Sequence, residues 1–166
     1  MRSINRKPAL ILLAVLAAPG ASAAAATAHA TPTDAITMNW QTPYVTAPPW
    51  DGTGTGGFSA SGASVNDAGS LSVAFHLGSS ASQGGSTLTQ SSKRTLTGQL
   101  GTVTLHCNEI THQASASPVP VTGHCTVIGG TGAYAALHGQ GEITGTADLS
   151  GPTTAVISET LELRTS

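Results

Sequence analysis

The sequence predicts an all-β domain, a single antiparallel β-barrel of about eight strands. Three observations predict it. Leu71, Val73, Phe75 and Leu77 recur at every second position, which is the period of a half-buried strand. Similar segments are separated by clusters of Gly, Pro, Asn, Asp and Ser, which punctuate strands. Beyond residue 30, no segment carries the three-four spacing of an amphipathic helix.

The first 30 residues have a different character. Arg2, Arg6 and Lys7 precede an unbroken apolar run from Ala9 to Ala18, which Pro19 and Gly20 end and small residues follow. That order is the design of a secretory signal peptide, with cleavage expected after Ala23, Ala28 or Ala30. The run is too short to span a bilayer as a stable helix, which needs about 20 residues. The alternative is an uncleaved anchor. No Cys follows the run, so lipid anchoring is not expected. A secreted protein with no membrane span after cleavage is the expectation.

Removing the signal leaves Lys93, Arg94 and Arg164 against eight acidic residues, a net charge of −5. Such a chain has no electrostatic footprint for nucleic acid or an anionic membrane. Its surface is expected to be built of Thr, Ser, Gly and Gln.

Residues 31–57 read as a lead segment and a Gly-rich loop ahead of a barrel domain spanning 58–166. The lead carries Trp40, Tyr44 and Trp50. These read either as a ligand platform or, preferably, as aromatics covering one end of a small core. Asp51 to Gly57 reads as a turn or flexible loop. It lacks the Lys-Ser/Thr and the following helix of a phosphate-binding P-loop.

Asn66 to Gly69 forms the turn before the Leu71–Leu77 strand, and Gly78 to Gly85 the loop after it. Leu88, Leu96 and Leu100 sit in Thr-rich strands. Val103, Leu105 and Cys107 alternate with polar residues. Gln113 to Pro120 reads as the tip of a long hairpin, with a return strand at His124 to Ile128. The last two strands are Gly139 to Leu149 and Thr153 to Arg164, separated by Ser150-Gly151-Pro152, where Pro152 cannot donate to a ladder. The expected interior is Leu71, Val73, Phe75, Leu77, Val103, Leu105, Val127, Ile143, Ile157, Leu161 and Leu163.

Cys107 and Cys125 are the only cysteines. An even count in an exported protein reads as a disulfide, which stabilises by about 3 kcal/mol on the chain-entropy model. The alternative is a metal site, because His106 and His124 precede the two cysteines. Paired cysteines would put both histidines on the opposite face, diagonal to each other. No third ligand completes a site, and His76, His106, His112, His124 and His138 read as surface residues; no metal and no cofactor is expected.

One residue breaks the pattern of the last strand. Ile157, Glu159, Leu161 and Leu163 share a face if the pleat is regular. A carboxylate among leucines is costly unless paired. Glu159 is therefore either a polar group inside a barrel cavity, with a raised pKa, or a rim residue beside a register-changing bulge.

The most specific stretch is Gly129 to Gly141, Gly-Gly-Thr-Gly-Ala-Tyr-Ala-Ala-Leu-His-Gly-Gln-Gly. Gly129, Gly130 and Gly132 permit a tight connection, and Tyr134 can plug one end of a core. Gly139 and Gly141 share a face of the next strand, where another group, such as the Tyr134 ring, can approach. The spacing is not that of a dinucleotide-binding fingerprint. The segment resembles the turn of the allene oxide cyclase and dirigent superfamily, whose pattern is Gly-Gly-Thr-Gly-x-Phe/Tyr followed by Gly-x-Gly in an eight-stranded antiparallel barrel. The resemblance covers Gly129 to Leu149, and His138 stands where many relatives carry Arg or Lys. It implies an apolar cavity in a closed barrel. The plant cyclases of that superfamily isomerise a fatty-acid epoxide, and dirigent proteins guide phenoxy-radical coupling. None of their cavity residues can be transferred to this sequence.

The functional expectation is a secreted barrel that binds a small apolar molecule in its lumen, with Phe75, Leu105, Tyr134, Glu159 and Leu161 as candidate lining residues. The alternatives are a non-enzymatic surface module with a filled barrel, able to assemble into homo-oligomers, and a cyclase-like isomerase. No nucleophile elbow, metal cluster or meaningfully spaced carboxylate pair was evident to support hydrolytic or redox chemistry.

Overall fold

The computed structural model describes residues 33–78, 87–112 and 117–166. The segment expected to be a signal peptide, most of the 78–85 loop and residues 113–116 of the expected hairpin tip lie outside the described residues. The eight strands are β1 (Thr33–Pro43), β2 (Asp51–Ser61), β3 (Asp67–Leu77), β4 (Thr87–Gly98), β5 (Thr102–His112), β6 (Val119–Gly130), β7 (Gly139–Asp148) and β8 (Thr154–Thr165). Each pairs antiparallel with its chain neighbour, and β1 closes on β8. Closure leaves no free sheet edge. Among the described residues no helix is long and apolar enough to cross a membrane.

The alternation that predicts β3, β5 and β8 is realised in burial. Leu71, Val73 and Phe75 are buried while Ser72, Ala74 and His76 are exposed. Of the expected interior, every residue is buried except Leu77, which packs against the core half-buried. Cys107 and Cys125 face each other across β5 and β6 and form a disulfide with Cα atoms 4.1 Å apart. His106 and His124 are exposed on the outer face beside it.

Several sequence expectations need correction. Residues 51–57 are not a loop, and the barrel does not begin at 58: β1 and β2 are full staves of it. Gly52 and Gly54 of β2 are inward positions emptied to admit rings from neighbouring strands. A Cβ on Gly52 would lie 2.2 Å from the Phe75 ring, and one on Gly54 2.4 Å from the Trp40 ring. Hydrophobic periodicity is lost in β2 because the apolar mass at its inner face comes from other strands. Leu100 is also not in a strand; it is 53% exposed in the β4–β5 turn.

The Gly129–Gly141 stretch ends β6, makes a single 3-10 turn at Gly132–Tyr134 and enters β7. Gly132 has φ +60°, and a Cβ there would meet the Leu100 carbonyl at 2.4 Å. The approach at Gly139 and Gly141 is by β8, not by the Tyr134 ring: a Cβ on Gly141 would lie 2.0 Å from the Glu162 carbonyl and 3.0 Å from Leu161. Tyr134 plugs the end of the barrel, its hydroxyl 3.3 Å from Asp67. The Asp67 carboxylate also accepts from the backbone N–H of Gln99 and Leu100, tying the β4–β5 turn to the same end. These hydrogen bonds, that of Leu100 foremost, hold Asp67 below the usual carboxylate range.

The lumen is thereby divided. In the half nearest Tyr134 it is packed solid by Ile36, Leu71, Leu96, Leu105, Ile143, Leu161 and Leu163. The other half is open, and the polar residues of the interior stand at the boundary.

Candidate functional site

Three inward positions just above the packed layer carry charge. Arg94 on β4 is 0% exposed, and Glu109 on β5 and Glu159 on β8 are each 3% exposed. Each follows from strand parity. Arg94 shares a face with Leu96, Glu109 with Leu105 and Cys107, and Glu159 with Ile157 and Leu161. β8 pairs in unbroken register with both β1 and β7, so no bulge turns Glu159 outward. The register shift in the barrel lies instead between β5 and β6, at Thr104/Leu105.

Room for the two glutamates comes from glycines paired with them. Gly123 opposes Glu109, and Gly145 opposes Glu159. A Cβ on Gly145 would lie 2.7 Å from the Glu159 Cγ, and one on Gly123 2.9 Å from the Glu109 Cγ.

Arg94 bridges the two carboxylates. Its Nη1 donates to Glu159 Oε2 at 2.6 Å and its Nη2 donates to Glu109 Oε1. Its Nε donates to the Ser92 hydroxyl at 3.2 Å. Trp40 Nε1 donates to Glu159 Oε2 at 3.0 Å, and Gln90 Nε2 donates to Glu109 Oε2 at 2.9 Å. The guanidinium carbon also sits 5.6 Å from the centroid of the Trp40 ring, within cation–π range. Burial works against the Arg94 charge, but the attraction of Glu109 and Glu159 outweighs it and raises the pKa. Burial pushes the Glu109 carboxyl up to about 7, with Arg94 pulling it down and Glu159 pushing it further up.

Above the triad lies a cavity of about 270 Å³. Glu109 and Glu159 reach its floor together with Gln90, while Arg94 lies beneath them and does not line it. The walls are mainly apolar: Trp40, Phe75, Leu77, Val121 and Ile157, joined by Thr42 and Thr111, with Tyr44 and Trp50 near the mouth. Trp40 and Phe75 are tilted neighbours with centroids 6.0 Å apart. The Tyr44 hydroxyl donates to the Leu149 carbonyl at 2.8 Å, pinning the β7–β8 connection to the rim.

Of the expected lining residues, Phe75 and Glu159 face the cavity. Leu105 and Leu161 do not; they are fully buried in the packed half. Tyr134 does not either, because it closes the far end. Arg94 and Glu109 were missed by sequence reasoning, and the absence of a carboxylate pair was an artefact of sequence distance: the two glutamates come together only on barrel closure. The signal for Glu109 was the one that marks Glu159, a carboxylate in phase with Val103, Leu105 and Cys107. Arg94, in Ser-Ser-Lys-Arg-Thr, carried no such signal.

The raised pKa of Glu109 makes a stability prediction. Its folded value, about 7, lies above the ordinary 4.5. A group raised in this way contributes its stability in full below the ordinary value and loses it as pH rises through the folded one. Urea denaturation should therefore show stability falling between pH 4.5 and 7, with a contribution of at most about 1.4 kcal/mol per pH unit from one proton. Glu109→Gln should flatten that slope; an unchanged slope would place the titration elsewhere. The lowered Asp67 and Asp148 act in a separate window, losing their contribution only as pH falls into the acid range.

Chemically, the floor offers acceptor oxygens and one carboxyl that exchanges a proton near neutral pH, beneath an apolar, aromatic enclosure. Compared with known proteins, the chain matches no family model, no curated protein and no solved structure.

Proposed function

We propose that this protein is a secreted binding barrel that holds one small, largely apolar molecule in the open half of its lumen. The observation that carries the reading is the cavity of about 270 Å³ with apolar walls and a floor formed by Glu109 and Glu159. A dry apolar cavity of about 150 Å³ accepts benzene, so this one suits a ring with a short branch, roughly ten non-hydrogen atoms. The disulfide fits an oxidising compartment, and the signal-like leader supports export. The resemblance of Gly129–Gly141 to allene oxide cyclase and dirigent barrels supports the same use of the lumen.

A second reading, cyclase- or isomerase-like catalysis, is favoured by one feature. Glu109, with its pKa near 7, stands at the cavity floor beside Glu159, as a proton-transferring group must.

Ligand-observed NMR with tert-butylbenzene tests the binding reading. Saturable binding of one molecule per chain is expected, lost in an Ala147→Phe variant that fills the cavity wall. Absence of binding to the folded protein by tert-butylbenzene and by charged probes of its size, or binding that survives Ala147→Phe unchanged, overturns it.

A further inference from the structure

We infer that the molecule this cavity takes is an apolar monocation, a quaternary or protonated amine, seated with its charge over Glu109 and Glu159 and its apolar body among Trp40, Phe75 and Trp50. The inference rests on the lumen-binding reading and adds the chemistry of the ligand.

Charge supplies the first argument. One guanidinium faces two carboxylates in the buried triad, leaving one negative charge in excess when both glutamates are ionised. No second cation compensates it among the described residues, because Lys93 and Arg164 lie exposed on the outer face. The titratable groups facing Glu109 are Arg94 from β4 and Glu159 from β8. The neighbouring positions of β1, β3, β6 and β7 are Trp40, Phe75, Val121 and Ala147, none of them charged. An excess buried charge takes up either a proton or a counter-ion.

The disposition of the triad supplies the second. Arg94 lies beneath the carboxylates with no exposed surface, whereas Glu109 and Glu159 reach the floor. A ligand therefore meets acceptor oxygens and never the guanidinium. Acceptor capacity also remains: Glu159 Oε1 receives only a long contact from Arg94 Nη2 at 3.4 Å. A carboxylate-bearing ligand would face like charge there.

The walls supply the third. The chain has six aromatic residues, two each of Phe, Trp and Tyr, and Trp40, Tyr44, Trp50 and Phe75 all line this one cavity. Aromatic rings gathered above a carboxylate floor suit an ammonium group, since a ring quadrupole attracts a cation. A purely apolar ligand would be served equally well by aliphatic walls and would leave the floor unmatched.

The test compares three probes of like size on the full-length mature protein: phenyltrimethylammonium, its neutral isostere tert-butylbenzene, and 3-phenylpropanoate. At pH 8 the cation should bind at least about tenfold more tightly than the isostere, as cation–π and carboxylate contacts at a desolvated site allow, and the anion should bind most weakly. The preference for the cation should shrink as pH falls to 5.5, because Glu109 then carries its own proton. Calorimetry at pH 7 in two buffers of different ionisation enthalpy should show about half a proton released on binding the cation, since Glu109 is then about half protonated, and none on binding the isostere. Glu109→Gln should reduce the cation-to-neutral preference several-fold and remove its dependence on pH. Binding of tert-butylbenzene without a preference for the cation, or a preference independent of pH with no proton release, overturns the inference and leaves the lumen-binding reading in place. Failure of all three probes removes both.

Discussion

Replacing Arg94 by methionine is expected to destabilise the barrel by about 3–5 kcal/mol at pH 8, the usual consequence of removing one partner from a buried ion cluster. Glu109 and Glu159 would be left facing each other at 3% exposure with no compensating charge. The loss should be smaller at pH 5, because the variant's carboxyls can escape the penalty by protonating. Chemical denaturation at the two pH values checks both statements; equal losses at pH 5 and pH 8 would show that Arg94 matters for its packing against Met38 and Trp40 rather than for its charge. The companion experiment replaces all three residues, Arg94→Met with Glu109→Leu and Glu159→Leu. A buried ion triad exchanged for apolar residues of similar size is often neutral or stabilising, so the triple variant should recover most of what Arg94→Met loses. Recovery would mean that stability alone does not account for charge in the lumen, which is what a binding floor requires.

The parts of the fold that were legible in the sequence are those where the barrel is filled. Leu71, Val73 and Phe75 on β3, Val103, Leu105 and Cys107 on β5, and Ile157, Leu161 and Leu163 on β8 keep a clean two-residue period because each places its own side chain in the core. The illegible parts are those that make the cavity. On β2 the inward positions are Gly52 and Gly54, on β4 they are Gln90, Ser92 and Arg94, and on β6 and β7 Gly123 and Gly145 stand opposite the glutamates. A binding site in a barrel is made by withholding apolar side chains from inward positions, so the periodicity that reports the fold fades where the site begins. Glu159 was legible because Ile157 and Leu161 flank it on the same face. Glu109 carries only half of that signal: Val103, Leu105 and Cys107 precede it in phase, but Thr111 follows it on the same face and the apolar run ends there. Arg94 sits beside Lys93, and adjacent positions of a strand point to opposite faces; two consecutive basic residues read as a solvated pair although one faces water and the other the lumen.

Trp40→Ala should cost about 3–5 kcal/mol, as large-to-small changes at buried aromatic sites do, and Gly54→Val should also destabilise by forcing atoms into occupied space. A Cβ on Gly54 would fall 2.4 Å from the Trp40 ring and 2.9 Å from the Gln41 carbonyl oxygen. The first contact vanishes when Trp40 is truncated and the second persists. The ring also donates to Glu159 and stacks against the guanidinium, so displacing it disturbs the cavity floor as well as the wall. The double variant should therefore be more stable than the sum of the single losses by roughly 1–3 kcal/mol, the coupling range of residues in direct contact, because valine at 54 fills part of the space alanine at 40 leaves empty. Urea denaturation of the four proteins closes the cycle. A coupling near zero would mean that Gly54 is required for the approach of the β1 backbone at Gln41, and that the ring fits into β2 by accident of that approach. A clear coupling would make the glycines of β2 the counterpart of the aromatics of the lumen, so that the Asp-Gly-Thr-Gly-Thr-Gly-Gly segment is part of the construction of the cavity.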